Sequence, residues 1–235
     1  NIASEYGMKY TFSLLGEPNQ LNDSMRSMNR YLIDQETTLE TIEEILSNRV
    51  WDNEDLRIVH VDLDYVYDPD PIQQEQNLDR LIERISRYGV STVYLQAYSD
   101  PDGDGVADEL YFPNRHLPVR ADLFNRVAWQ LKKRANVKVY AWMPVLSFDL
   151  GDGYQYVTDV RTGNESPDHY RRLSPYVIEN RNTIREIYLD LGRLTKFDGL
   201  LFHDDAFFTD FEDANPEALD AYERASLPRD INAIR

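Results

Sequence analysis

The 235-residue sequence contains no cysteine. That excludes disulfides, thiolate-held zinc and cysteine nucleophiles, and leaves the cellular compartment open. No window approaches the roughly 18 consecutive apolar residues that a membrane-spanning helix requires, and no signal or lipidation motif is present. Because it begins at Asn1 rather than at a methionine, the sequence reads as a piece of something longer that could have carried such a segment. Positive charge is also scarce, with 25 Lys+Arg against 42 Asp+Glu and a net charge of −17. Nucleic acid and anionic membrane surfaces are therefore disfavoured as partners, and neutral or cationic ligands are favoured. What is present is an ordinary globular composition, 42% hydrophobic and 12% aromatic, enough for a substantial core. The length suits one large domain or two small ones.

The organisation changes twice along the chain. Met8 to Leu15, after a break at Gly7, is rich in aromatic and β-favouring residues and predicts one strand. Residues 17–55 are polar and acidic and read as a linker. Leu39, Ile42, Ile45 and Leu46 recur there at helical spacing, which predicts one packed helix near Thr37–Arg49. From Leu56 the pattern alternates strand and helix. Strands are expected over Arg57–Tyr67, Ser91–Tyr98, Val137–Leu146 and Phe197–Ala206. Helices are expected over Ile72–Tyr88, stopped by Gly89, then over Ala121–Lys133 and Pro175–Leu194. Such alternation predicts an α/β fold with a parallel sheet. No Gly-x-Gly-x-x-Gly follows the first strand, and polar and aromatic residues gather at the C-terminal strand ends. The reading is a (β/α) barrel of the TIM type, incomplete in this chain at about four β/α units, over residues 56–235.

Those strand ends hold the candidate chemistry. His60, Asp62 and Asp64 alternate with Val61 and Leu63, so period 2 sets all three on one side, as the floor of a polar pocket or as the solvated face of an edge strand. Tyr98 ends the second strand, and His116 lies in the loop beyond it. Trp142 stands near the end of the third strand, as a stacking platform or as core. The fourth strand runs into His203-Asp204-Asp205, with Asp210 shortly after and Phe202, Phe207, Phe208 and Phe211 interleaved. Adjacent side chains on a strand start toward opposite faces. One of Asp204 and Asp205 is therefore expected to do chemistry while the other orients it or accepts loop amides. Carboxylates that grip hydroxyls and amines, beside aromatic faces, suit a sugar site, and paired carboxylates are the usual glycosidase catalysts. An acidic capping turn has the same spacing. In the second loop Asp100, Asp102, Asp104 and Asp108 sit at calcium-loop spacing, but Tyr111 occupies the position that needs a Glu, which excludes an EF-hand. Another calcium loop, or a metal-free Gly- and Asp-rich turn, remains.

Several long strings carry a resemblance. Ser99–Asp108 continuing through Tyr111–Phe124, with Ala141-Trp142-Met143-Pro144 and Gly199–Ala206, is similar to the poly-β-1,6-N-acetyl-D-glucosamine N-deacetylase family (PgaB/HmsF type). The resemblance implies a two-domain periplasmic lipoprotein, lipid-anchored to the outer membrane, with a deacetylase domain ahead of a glycoside-hydrolase-like barrel. On it, residues 1–16 are the C-terminal remnant of the deacetylase domain, with Gly7–Phe12 as its closing strand, and 17–55 are the linker. The deacetylase's divalent metal belongs to the missing domain, this chain alone should not deacetylate, and the barrel needs no cofactor. The resemblance further implies that Asp204 leads catalysis, supported by Asp205 and Asp210, on partially deacetylated poly-β-1,6-N-acetyl-D-glucosamine. The implied partners are that polymer, the deacetylase domain of the same protein and an outer-membrane export porin. A non-catalytic module that holds the polymer for export is the alternative, and a fragment that mainly docks through Leu39–Leu46 is a third.

Overall fold

The computed structural model describes residues 11–13, 27–29, 56–166 and 170–230. The chain divides into two compact units, Asn1–Asp55 and Leu56–Arg235. In the first, β1 (Thr11–Ser13) pairs in parallel with β2 (Ser27–Asn29). β1 lies within the strand expected over Met8–Leu15. β2 falls in the stretch read as linker, where short polar Ser27 and Asn29 hid it from a hydrophobicity-based reading. The helix expected over Thr37–Arg49 lies outside the described residues.

The second unit is built on four parallel strands in the order β3 (Ile58–Val61), β4 (Thr92–Gln96), β7 (Lys138–Met143) and β8 (Gly199–Phe202). Each is followed by a helix on the chain: α1 (Pro71–Tyr88), α2 (Phe124–Gln130), α3 (Ile178–Leu194) and α4 (Pro216–Arg224). A doubly wound sheet reverses its strand order at a switch point. Here sequence order and spatial order coincide, so the sheet winds one way, as an arc of a barrel does.

Local chemistry sets the boundaries. The Asp70 carboxylate caps α1 by accepting the Ile72 amide at 3.0 Å, and Pro71 starts the helix where its missing N–H costs nothing. Gly89 ends it in the left-handed conformation at φ +60°, which a side chain resists. Leu78, Ile82 and Ile85 form its buried stripe. Burying each contributes roughly 1.5–3 kcal/mol. They join Val61, Val93, Leu95, Val139, Ala141 and Met143 of the sheet in one core with Phe124, Val127, Ile187 and Leu191.

Three differences from the sequence reading have physical causes. The first strand stops at Val61 and turns through one 3-10 turn, Leu63–Tyr65, because donors from the next unit hold the Asp64 side chain. The acidic excursion after β4 is pinned by an antiparallel pair, β5 (Tyr98–Ser99) with β6 (Glu109–Leu110). Finally, α4 was not expected. Asn215 and Pro216 open it, and Ala218 is its buried contact. No described helix is long and apolar enough to cross a membrane.

Candidate functional site: an acidic, aromatic cleft

The C-terminal strand ends enclose a cleft of about 590 Å³. The turn after β3 contributes Asp62, Asp64 and exposed Tyr65; β4 and β5 contribute Gln96 and Tyr98; β7 contributes Trp142, and the residue after β8 is His203. The acidic loop adds Asp100, Asp102 and Gly105, and the walls are completed by Arg120 and Tyr170. The strand register explains the grouping, since Gln96 lies opposite Trp142 and Asp62 follows Val61, which pairs with Leu95.

An aromatic floor runs across this space. His60 meets Tyr94 and Trp142 edge-on, each at 5.1 Å between ring centres. Trp142 stacks on His203 at 5.7 Å with a 15° tilt, and Tyr98 stands edge-on to both. Tyr170 abuts His203 at 4.9 Å. These rings offer flat apolar faces beside carboxylates, the combination a pyranose needs for its C–H surface and its polar groups.

The carboxylates divide by what they already bind. Asp64 accepts Ser99 Oγ at 2.8 Å, Tyr111 Oη at 2.6 Å and the Asp100 amide at 3.1 Å, so it anchors the β4–β5 corner to β3. Burial, then the neighbouring Asp64 charge, raises the pKa of Asp62 above the ordinary carboxylate value, against a lowering from His60. Asp205 has 0% exposure and accepts the amides of Val145, Leu146 and Ser147 at 2.6–3.0 Å. Asp204, its neighbour, has an 81% exposed side chain and does not itself line the cleft, though it contacts two residues that do. Tyr170 Oη donates to it at 3.3 Å, and His203 Nδ1 lies 3.1 Å from it. Of the two adjacent acids, Asp204 is open to a ligand, and Asp205 holds the loop after β7.

The structure gathers the residues expected at a sugar site unevenly. Asp62, Asp64, Tyr98, Trp142 and His203 line the cleft, and His60 supports its floor through Trp142. His116 is placed elsewhere: its Nε2 contacts Glu186 of α3 at 2.8 Å, beside the Arg115–Asp190 pair, so it ties a loop to a helix. Asp210 is likewise away from the cleft, in a separate hollow with Val160, Thr209 and Leu227. Asp205 is brought near but is closed to substrate by its amides. Sequence reasoning missed Gln96, Tyr65, Arg120 and Tyr170. Gln96 alone left a signal, since it continues the Thr92-Tyr94 alternation facing away from the core.

In the acidic loop, the carboxylates of Asp100, Asp102 and Asp104 each offer an oxygen within 4.8 Å of the others. Asp100 already accepts the amides of Gly103, Asp104 and Gly105, and Asp104 accepts that of Val106. Those bonds fold the loop back on its own carboxylates. Asp108 is not part of that group of three. Burial, with the charges of Asp102, Asp104, Asp149 and Asp100, pushes its pKa up to about 6.

Two further contacts hold the site's shape. Gly105 sits at φ +83° beneath Tyr170, and a Cβ there would lie 2.3 Å from the phenol ring. Arg172, 1% exposed, pairs with buried Glu212 at 2.6 Å and also donates to the carbonyls of Tyr170 and Phe207. It thereby ties the Tyr170 segment to the loop that follows Asp204.

Parallel β/α units with a carboxylate- and aromatic-lined cleft at their C-terminal ends define a glycoside-hydrolase-like domain. The chain belongs to hypothetical glycosyl hydrolase family 13, whose model matches residues 60–235. It is 49% identical over 183 residues to the poly-β-1,6-N-acetyl-D-glucosamine N-deacetylases of Escherichia coli K12 and O157:H7, covering 76% of this chain. It spans only 27% of the length of those relatives. Among solved structures, it resembles the PgaB (BpsB) glycoside hydrolase domain from Bordetella bronchiseptica. That match has 54% identity and a TM-score of 0.72, and covers 77% of this chain and 53% of the other.

Proposed function

We propose that this chain binds and hydrolyses partially deacetylated poly-β-1,6-N-acetyl-D-glucosamine, as the barrel part of a protein that modifies a biofilm exopolysaccharide. The observation that carries the reading is Asp204, an exposed carboxylate in contact with Tyr170 and His203 of a cleft floored by Trp142 and His203 and walled by Asp62. In it Asp204 is the acid or nucleophile, and Asp62, whose pKa burial raises, is the second carboxylate. The net charge of −17 favours the polymer's free, partly protonated amines over its neutral acetylated form. Each exposed carboxylate–ammonium contact is worth roughly 0.2–1 kcal/mol, so selectivity comes from several together. The parent protein is read as periplasmic and outer-membrane-anchored. It deacetylates through its own metal-dependent domain and passes polymer to an export porin.

The test is digestion of partially deacetylated polymer by the complete protein and its Asp204→Asn variant, with products sized by mass spectrometry. Shortened products from the parent alone are expected; equal cleavage by both sinks the assignment. A non-catalytic holding module is favoured by one observation, the engagement of Asp64 and Asp205 by internal donors. In that case neither form shortens the polymer and both bind it.

A further inference from the structure

Three consecutive residues, Tyr170, Arg171 and Arg172, each reach a different part of the surroundings of the cleft. Tyr170 donates to Asp204, and Arg172 pairs with Glu212 in the loop after β8. Arg171 turns elsewhere. Its guanidinium forks onto Glu165, with Nε at 2.9 Å and Nη2 at 3.2 Å, and its Nη1 reaches Asp149 at 2.7 Å. The same group lies 3.6 Å from the centre of the Tyr156 ring. None of Arg171, Asp149, Glu165 and Tyr156 lines the cleft, so the proposed chemistry leaves these contacts without a purpose.

An ion pair near the surface usually adds little stability, because water screens it and two long side chains must be ordered. Arg171 differs in geometry. A planar fork held by two carboxylates over an aromatic face has one orientation, so it fixes direction even where it adds little stability. What it fixes is the backbone beside Tyr170. Asp149 belongs to the stretch after β7 that also carries the acidic loop. There the Ala107 amide donates to the Ser147 carbonyl at 3.0 Å, and the Asp149 amide donates to the Ala107 carbonyl at 3.0 Å. Gly105, on which the Tyr170 ring rests, is two residues before Ala107. The seat of the ring and the backbone adjoining it are therefore both tied to residues 147–149.

Burial, then the Asp204 charge, raises the pKa of Tyr170, so the phenol keeps its proton and remains a donor. Its bond to Asp204, at 3.3 Å, is already long for an O–H···O contact, and a small displacement of the ring removes it. We propose that Arg171 is a positioning residue, which clamps Asp149 and Glu165 and so holds Tyr170 on Gly105 with its hydroxyl directed at Asp204. This rests on the hydrolase reading above and deepens it. A residue outside the cleft controls the orientation of the leading carboxylate.

The experiment compares the complete protein with Arg171→Met, Tyr170→Phe and the double variant, by turnover of partially deacetylated polymer, urea denaturation and crystal structures. Arg171→Met keeps the aliphatic stem and removes the fork. It is expected to lower kcat roughly tenfold, with KM within about twofold and the urea midpoint unchanged. Tyr170→Phe is expected to lose about as much, and the double variant no more than either single one, because Arg171 acts through Tyr170. The Arg171→Met structure is expected to show Tyr170 Oη beyond hydrogen-bonding distance of Asp204. Losses that multiply in the double variant, or Tyr170 unmoved in the Arg171→Met structure, overturn the positioning role and leave the hydrolase reading intact. If the parent protein does not shorten the polymer, that reading falls, and the crystal structures alone decide whether Arg171 holds Tyr170.

Discussion

On the helix-covered face of the sheet, Val61, Val93, Leu95, Val139, Ala141 and Met143 are all buried and all aliphatic or thioether. On the opposite face the same strands and the residues that end them carry His60, Asp62, Tyr94, Gln96, Tyr140 and Trp142. The two sets are one residue out of step, and the pleat alone separates them. The difference teaches that cohesion and the candidate site are assigned to opposite sides of one backbone. The adjacent acids at the end of β8 repeat the division, with Asp205 shut inside on three amides and Asp204 open.

That separation can be broken most forcefully at Asp205. Asp205→Ala leaves three amides of the loop after β7 without their acceptor, and is expected to cost about 3–5 kcal/mol. Urea denaturation measures it; Asp204→Asn should leave the urea midpoint unchanged. A midpoint equally unchanged in Asp205→Ala would show that the amides find other partners.

A crossed pair tests the two faces directly. Leu95→Ala is expected to lose about 2–4 kcal/mol of stability while glucosamine-oligomer affinity stays within twofold. Trp142→Ala is expected to do the reverse to the ligand, weakening its Kd roughly thirtyfold, or about 2 kcal/mol. Calorimetry at a temperature where both variants are folded separates the effects. Loss of binding in Leu95→Ala would mean that the faces are coupled.

The smallest effect comes from Asp108. Its pKa is raised to about 6 in the folded state, so the folded protein holds that proton more tightly than the unfolded chain does. Stability therefore falls as pH rises from about 4 to about 6, and the penalty is fully present at pH 7. Partial solvent screening trims it to about 1 kcal/mol. Asp108→Asn should accordingly raise the melting temperature by about 2 °C at pH 7 and leave it unchanged at pH 4, measured in chelator-containing buffer.

Much of the scaffold could be read from periodicity, because the four strands and α1, α2 and α3 bury continuous apolar patterns. α4 escaped because its only buried side chain is Ala218, too small to mark a stripe. Within the site, Asp62, Asp64 and Trp142 were legible because alternation fixes a side once a strand is located. Their duties were not, since what occupies Asp64 comes from Ser99 and Tyr111, 35 and 47 positions away. His116 was misplaced for a related reason. It follows a strand end in sequence, but Glu186, seventy residues on, draws it to the helical layer. Tyr170 lies in a loop with no period, so only folding brings it to Asp204.

The approach of Gly105 to Tyr170 gives the acidic loop a reach beyond its own carboxylates. Because a single added carbon at Gly105 would occupy the space of the phenol ring, the loop's contour acts as the seat against which that ring rests. The ring's hydroxyl in turn steadies Asp204. An exposed acid of the site is thus calibrated from below by a residue with no side chain.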